Sequence, residues 1–449
     1  MKFFQFLSRP FVVFVERYYP DPFVFAILLT FVACLLALAL TPSGLVATVD
    51  AWGAGLPSLL AFTAQISITL VAAHALAHTD AVQRLLLHVG GLPQTEFQAY
   101  ALVALFSGFS ALIAWSLGLI VGAIVARQVA LGARQRGIAV HYPLLVASAY
   151  AGFCVWHMGY SGSAPLFVAT PGHTLEAQIG VIPVTDTTFT STNMLLALLS
   201  VAVIAIVCPL MRPDKEKVVE LDPAILQQTP TEDSDLGAPE TLTFAQRIDN
   251  SRALNLSLAM LLGAYLFYWF YSRGFNLNLN IVNWSFLGLG LLLARSPLHY
   301  ARLIVDASAI IGLIILQYPF YAGIMGVMQG TGLGSVISDW FTAISTPDTL
   351  PFFAFLAGGL VNMFVPSGGG QWAVQGPIFI EAAQNMGVEP ALVVMGIAYG
   401  DQWTNAIQPF WTIPLLAIAG LHMRQIMGYT FVIFLVTFFL FGGGLLFLY

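Results

Sequence analysis

The sequence predicts an all-α polytopic membrane protein, and three observations carry that prediction. Of its 449 residues, 58% are apolar and 8% are charged, against roughly 25% charged in a soluble globular domain. With a mean hydropathy of +0.83, the chain cannot build a water-soluble surface, which excludes a soluble enzyme. The apolar residues fall in runs of about 20, the length a helix needs to cross about 30 Å of hydrocarbon. No segment alternates apolar and polar residues in the ~10-residue pattern of a transmembrane β-barrel.

In chain order, residues 1–19 carry Lys2, Arg9, Glu16 and Arg17 among scattered Phe and Val. Without a small-residue cleavage site after them, they read as an amphipathic helix lying at the interface. The first span starts at Asp21-Pro22, a cap followed by proline at the first helical position, and runs to Leu40. A second span covers residues 56–77. Residues 97–133, broken by Gly108, Gly118 and Gly122, read as a re-entrant hairpin. The run over 143–170 is interrupted at Gly159–Pro165, and a further span covers 193–210. Residues 212–253 mix acidic, basic and proline residues and form a solvated linker without chemistry of its own. A connecting helix (254–276) and spans at 277–294 and 303–329 follow. Residues 351–386 are apolar but Gly-rich and make a second hairpin, the run at 390–419 is broken in its middle, and a last span ends at Leu448. The three cysteines, Cys34, Cys154 and Cys208, lie inside apolar runs and read as small core residues.

The two halves correspond. At a constant separation of 249 residues, Ala149-Tyr150 falls on Ala398-Tyr399 and Pro165-Leu166 on Pro414-Leu415. The chain thus divides into a first repeat (20–211) and a second (277–449), separated by one connecting helix and therefore inverted. That arrangement gives about nine transmembrane helices plus two re-entrant hairpins, and inverted halves meeting at the midplane recur in secondary transporters. With the N-terminus inside, 15 of the 16 Lys and Arg residues fall on the cytoplasmic side and only Arg273 outside, as the positive-inside rule requires. The first hairpin then opens from the cytoplasm and the second from outside.

No Lys or Arg remains within a crossing, and no Ser-His-Asp set, zinc-binding motif or phosphate loop is present. The chemistry instead gathers where backbone breaks inside hydrocarbon, because unpaired peptide groups survive there only against protein or a water-filled cavity. Four segments break in this way: Trp115–Gly118, Gly159–Pro165, Pro366–Gln371 and Asp401–Pro409. Helices beginning at such breaks point N–H dipoles at the cavity and favour an anion. Ser161, Gly162, Ser163, Ser367, Gly368, Gly369, Gly370, Gln371, Thr404 and Asn405 are the expected substrate-binding residues, suited to a small carboxylate held without a fixed cation. Asp401, an acid in an otherwise uncharged span, with Asn405 and Ser116, is expected to handle a coupling ion, Na⁺ or H⁺. His157 is a candidate proton relay or a hydrogen-bonded packing residue. Trp115, Trp372, Trp403 and Trp411 are candidates to wall a slot for a short acyl chain, or to pack helices.

These segments resemble the short-chain fatty acid transporter family of bacterial acetoacetate and butyrate uptake. The resemblance rests on Tyr19-Pro20-Asp21-Pro22-Phe23, Gly159-Tyr160-Ser161-Gly162-Ser163-Ala164-Pro165-Leu166 and Tyr318-Pro319-Phe320-Tyr321. It rests also on Val365-Pro366-Ser367-Gly368-Gly369-Gly370-Gln371-Trp372 and Asp401-Gln402-Trp403-Thr404-Asn405-Ala406-Ile407-Gln408-Pro409. It implies a multi-pass carrier of the bacterial inner membrane for short monocarboxylates. It implies kinship with the ion-transporter superfamily, whose members form dimers and move substrate by an elevator motion. His157-Met158 departs from the small residues expected before this Ser-Gly-Ser. An anion channel is the competing reading, and a carrier for dicarboxylates is disfavoured by the lack of an intramembrane Arg. The sequence gives no reason to expect a nucleic-acid partner or a cofactor beyond the coupling ion.

Overall fold

The computed structural model describes residues 10–14, 17–18, 20–173, 175–222, 243–274 and 279–448, and all regular structure among them is helical. Most of the interfacial helix expected over 1–19 and the middle of the linker, 223–242, lie outside the described residues. The first half comprises α1 (Pro22–Leu40), α2 (Leu45–Gly55), α3 (Leu60–Ala77), α4 (Asp80–Gly91), α5 (Glu96–Ile113), α6 (Trp115–Gln135), α7 (Tyr142–Phe153), α8 (Ser163–Val168), α9 (Glu176–Ile179) and α10 (Ser191–Leu210). After α11 (Phe244–Asp249) and α12 (Arg252–Arg273) come α13 (Leu279–Leu293), α14 (Pro297–Ala307), α15 (Gly312–Gly330), α16 (Leu333–Ala343) and α17 (Leu350–Asn362). The chain ends in α18 (Gly368–Met386), α19 (Pro390–Asn405), α20 (Thr412–Ala419) and α21 (Met423–Phe447).

Among the described residues, seven helices are long and apolar enough to cross a bilayer, with α2 and α3 counted as one. The bent pair α14–α15 makes an eighth if taken as one span. Two further runs that read as crossings in the sequence are each cut in two. The run at 143–170 divides into α7 and α8, of 12 and 6 residues. The run at 390–419 divides into α19 and α20, of 16 and 8. Each piece alone is shorter than the ~20 residues a crossing needs. The first span starts as its sequence dictates: Asp21 Oδ1 accepts the Phe23 N–H at 2.9 Å, with Pro22 at the first helical position.

Glycine sets how the broken elements pack. Helices α5 and α6 fold back on each other about one extended residue, Ala114 (φ −151°, ψ 132°), with Gly118 against Ala111 and Gly122 against Ser107. Helix α7 lies parallel to α5, Gly152 meeting Ala104, Ser107 and Gly108, and Ser107 Oγ donates to Ala149 O at 2.5 Å. Helix α19 lies parallel to α17 in the same manner, Gly400 meeting Phe355, Gly358 and Gly359. Tyr150 on α7 and Tyr399 on α19, the pair that the sequence aligns, both hydrogen-bond out of their own helix, to Asn405 O at 2.6 Å and Asn193 Oδ1 at 2.7 Å.

The start of the linker is strapped to the start of α7 and the last turn of α6. Tyr142 N–H donates to Val219 O at 2.8 Å, Val219 N–H to His141 Nδ1 at 3.0 Å, and Arg134 Nη1 to Leu221 O at 3.1 Å. Burial pushes the His141 imidazole down to about 4, so the ring stays neutral and its Nδ1 can accept.

Two predictions follow from this packing. A Cβ on Gly400 would collide with the Phe355 carbonyl, and overpacking of this kind costs roughly 1–3 kcal/mol. Gly400→Val should therefore lower the unfolding temperature in detergent by several degrees. Gly443, where a Cβ meets nothing within 4 Å, should accept Ala without loss. For His141 the folded value lies below the ordinary value of about 6.5, so its contribution is complete above that pH and is lost as pH falls towards 4. A melting-temperature series from pH 7 to 4 should show a decline that His141→Gln makes shallower. Parallel curves would assign the acid sensitivity to other groups.

Candidate functional site

The four backbone breaks meet in the interior and satisfy one another. At the tip between α5 and α6, Leu112 O accepts the Tyr160 N–H at 2.8 Å, and Trp115 N–H, the first donor of α6, is capped by Ser161 Oγ at 2.8 Å. A Cβ on Gly368, which opens α18, would touch Ser163 Oγ and the His157 ring at 2.9 Å, so only glycine lets the second tip close onto the first-half break. Ser367 caps α18 by accepting the Gly370 N–H at 3.3 Å. His157 ties the α7–α8 break to the α19 break: its backbone N–H donates to Gln402 Oε1 at 3.0 Å and its Nε2 accepts the Ala164 N–H at 3.1 Å.

Between the tips lies a cavity of about 200 Å³, with space for several water-sized groups. One side is polar: Ser163 and the segment Pro366–Gly369 bring hydroxyls and helix N-termini to it. The other is aromatic, formed by Phe62, Trp115, Trp156, Phe410 and Trp411. The rings pack on one another, Trp115 against Trp411 at 5.0 Å and Phe410 against Trp411 at 5.0 Å between centroids. The indole Nε1 atoms of Trp156 and Trp411 are buried with no hydrogen-bond partner among the described residues. A buried donor without an acceptor is costly, and these two lie on a cavity that no Lys or Arg lines. Donors without an acceptor beside aromatic rings are chemistry that would suit a small carboxylate with a short acyl chain.

Next to this cavity, Asp401 and His157 are both 1% exposed, with His157 Nδ1 and Asp401 Oδ2 3.4 Å apart. Because His157 Nε2 accepts a backbone proton, the ring is neutral and its Nδ1 carries the hydrogen. That hydrogen faces the carboxylate at more than the usual N–H···O length. Asn405 Nδ2 donates to Asp401 Oδ1 at 3.1 Å, and Asn362 Nδ2 to Asp401 O at 2.9 Å and Thr404 Oγ1 at 2.8 Å. Gln408 Nε2 donates to Asn362 O at 3.2 Å. Each amide nitrogen is fixed by an acceptor, so the orientation of each amide is determined. What remains is a set of buried oxygens without a donor: Asn362 Oδ1, Asp401 Oδ2, Asn405 Oδ1 and Gln408 Oε1. Oxygen ligands are what a hard cation requires, and this cluster has four that no donor engages among the described residues.

The structure therefore divides the residues expected from sequence into three groups. Ser163, Ser367, Gly368 and Gly369 line the cavity. Ser161 caps α6, while Gly162 packs against His157 O. Gly370 O accepts from Gln329 Nε2 at 3.5 Å, and Gln371 Nε2 bonds Gly358 O and Gln375 Oε1 away from the cavity. Asp401, Thr404 and Asn405 form the oxygen-rich cluster. Ser116 is not with them: it lines a separate small cavity with Thr69 and Pro414. Of the tryptophans, Trp115 and Trp411 wall the main cavity, whereas Trp372 packs near Phe167 and Trp403 stacks on Phe434. Sequence reasoning missed Phe62, Trp156, Asn362, Gln408 and Phe410. Asn362, polar at the end of an apolar helix, and Gln408-Pro409-Phe410, inside the break, were the available signals.

The sequence profile described as short chain fatty acid transporter matches residues 3–448. A protein of Escherichia coli (strain K12), named as a candidate short-chain fatty acid transporter, is 41% identical over 437 residues, 97% of each chain. One of Haemophilus influenzae (strain ATCC 51907 / DSM 11121 / KW20 / Rd), with the same description, is 38% identical over 98% of this chain and 99% of its own. Among solved structures, the Alcanivorax borkumensis YdaH transporter, described as having an unusual topology, aligns at TM-score 0.41 and 15% identity over 94% of this chain and 98% of that one. Neisseria gonorrhoeae MtrF, described within a class of antimetabolite efflux pumps, aligns at TM-score 0.36 and 14% identity over 97% of each.

Proposed function

The chain belongs to the short-chain fatty acid transporter family, and we propose that it takes up acetate, butyrate and acetoacetate by cation-coupled symport. The observation that carries this reading is the cavity between the tips, where the hydroxyl residues Ser163 and Ser367 and the start of α18 meet an aromatic wall with no basic side chain. The carboxylate meets the Nε1 of Trp156 and Trp411 and the hydroxyls of Ser163 and Ser367. The remaining predicted residues, Ser161, Gly162, Gly368, Gly369, Gly370 and Gln371, hold the tips in place around it. Its short chain lies against Phe62, Trp115 and Phe410.

The coupling ion in this reading is Na⁺, taken by the oxygens of Asn362, Asp401, Asn405 and Gln408, with Thr404 beside them. Its charge offsets the carboxylate that no Arg neutralises. A proton is the second reading, favoured by the contact between His157 and Asp401. It requires the Ala164 N–H bond to His157 Nε2 to break when the ring is protonated there. Because the breaks are hydrogen-bonded to each other, the site moves as a unit. Helix α3 meets it through ring contacts, Phe62 lying 5.9 Å from Trp115 and 6.1 Å from Trp411. An apolar seam of this kind suits an elevator motion within two inverted repeats. The protein acts in the bacterial inner membrane with its N-terminus in the cytoplasm, as a homodimer. An anion channel is disfavoured, since a through-pore is ordinarily lined by polar or charged rings.

Labelled butyrate uptake into proteoliposomes, driven separately by a Na⁺ gradient and by a pH gradient, tests the proposal. Accumulation with the Na⁺ gradient alone is expected, and accumulation with neither overturns symport. Asp401→Asn should abolish the ion dependence, whereas unchanged uptake and ion dependence would make Asp401 structural. Trp411→Phe removes the N–H while keeping a ring, and should raise the half-saturating butyrate concentration about tenfold, as loss of one hydrogen bond to a charged group does. An unaltered value would take Trp411 out of carboxylate binding.

A further inference from the structure

A line of cavities leaves the central site along one seam of the protein and ends in a pocket that contains an arginine. Three elements contribute to each step in the same order. At the central cavity they supply Phe62, Trp115 and Trp411. At a neck of about 10 Å³ they supply Ile66 and Leu70, Leu119 and Ile120, and Pro414. At an outer pocket of about 200 Å³ they supply His74 and His78, Arg127 and Gln128, and Ile418. Residues four or so apart on a helix share a face, so α3 and α6 each turn one continuous stripe toward the seam, as does the segment from Trp411 into α20. From Trp115 to Arg127 the stripe on α6 is roughly 18 Å long.

The outer pocket has a chemistry distinct from the rest of the seam. His74 and His78 stack at 4.1 Å, and His78 Nδ1 is engaged with His74 O at 2.8 Å. The buried Nε2 of His74 has no hydrogen-bond partner among the described residues. Arg127 brings the fixed positive charge, and the amides of Gln83 and Gln128 add donors. Asp306 is the acidic residue that acts on His78. A separate pocket of about 420 Å³ is lined by Met328, Gln329, Ser335, Val374, Pro377 and Ile378, with no charged residue. The two pockets are therefore electrostatically unequal.

We propose that the His74–His78–Arg127 pocket is an anion port on the cytoplasmic face, through which small carboxylates leave or re-enter the central site along the α3–α6–α20 seam. The inference rests on the carrier reading above. The neck, no larger than one water-sized group, is the closed point of the route. Ser116 and Thr69 are its polar residues, which gives Ser116 a place on the path rather than in the ion cluster. A positive group at one mouth concentrates anions there, so the protein binds its substrate more tightly from that face than from the other.

The test compares half-saturating butyrate concentrations at the two faces, using right-side-out and inside-out vesicles holding the full-length protein. Arg127→Gln should raise the value about tenfold at the cytoplasmic face, and by much less at the other, with Arg127→Lys recovering most of the loss. Equal shifts at both faces, or none at either, overturn the port while the carrier reading stands. Failure of the unaltered protein to accumulate butyrate from either face overturns the carrier reading itself. Should Arg127→Gln fail to fold, Leu119→Cys probes the route directly. The anionic thiol reagent 2-sulfonatoethyl methanethiosulfonate should modify it from the cytoplasmic face, faster than a cationic analogue does and more slowly with butyrate present. No modification from that face, or no preference for the anionic reagent, overturns the proposal.

Discussion

The structure depends on one constraint: peptide groups released where helices break in an apolar interior must find partners, and the nearest partners are other breaks. A peptide N–H or C=O left unpaired in hydrocarbon costs several kcal/mol, so a single broken helix could not persist there. Four together can. Ser161 on the α7–α8 break caps the start of α6, and Gln402 on α19 accepts the backbone N–H of His157. Tyr150 reaches across to the carbonyl of Asn405, and Asn193 Nδ2 takes up Met158 O at 2.9 Å. The tips cannot be moved independently without exposing these groups, which makes the site a cooperative unit rather than a collection of loops.

The same constraint decides the charge chemistry. A fixed Arg between the tips would have to be desolvated whether or not an anion was present, at considerable cost. Neutral donors carry a smaller penalty, and the cavity is lined by hydroxyl residues and the start of α18. The oxygen-rich cluster around Asp401 is the counterpart for positive charge, built from side-chain amides whose nitrogens are already engaged. In the proposed carrier the anion finds no basic side chain in the cavity wall, so a cation held beside Asp401 would supply its countercharge and electrostatics would favour the two binding together.

Much of this was legible in the sequence, and the reasons differ by residue. The breaks at Trp115–Gly118, Gly159–Pro165, Pro366–Gln371 and Asp401–Pro409 could be read because glycine, proline and polar residues are conspicuous within apolar runs. The packing of Gly152 and Gly400, on helices that the sequence aligns through Tyr150 and Tyr399, also has a local signal. What could not be read is which polar residues line the cavity and which are consumed as caps. Ser161 and Ser163 are two residues apart in one motif, yet one closes a helix end and the other lines the cavity. Ser116 looks like a tip residue by position but lies beyond the tip, on the seam. The aromatic wall was partly hidden because Phe62 and Phe410 carry no polar flag, and one more Phe among 34 stands out only when its neighbours are known.

The unequal pockets bear on how such a carrier works in one direction. A carrier whose two mouths were alike would differ between its faces only through the coupling ion and the membrane voltage. Here one pocket holds Arg127 with two histidines, and a separate pocket is lined by uncharged side chains. A cytoplasmic mouth that attracts the carboxylate does not alter the equilibrium of transport, which the gradients fix. If the proposed port operates, it would change occupancy instead: as internal acid accumulated, a cytoplasmic mouth would fill at a lower concentration, and net uptake would slow before the gradients were spent. Placing the basic residue about three turns of helix from the site, rather than in it, permits that response without adding a permanent charge to the interior.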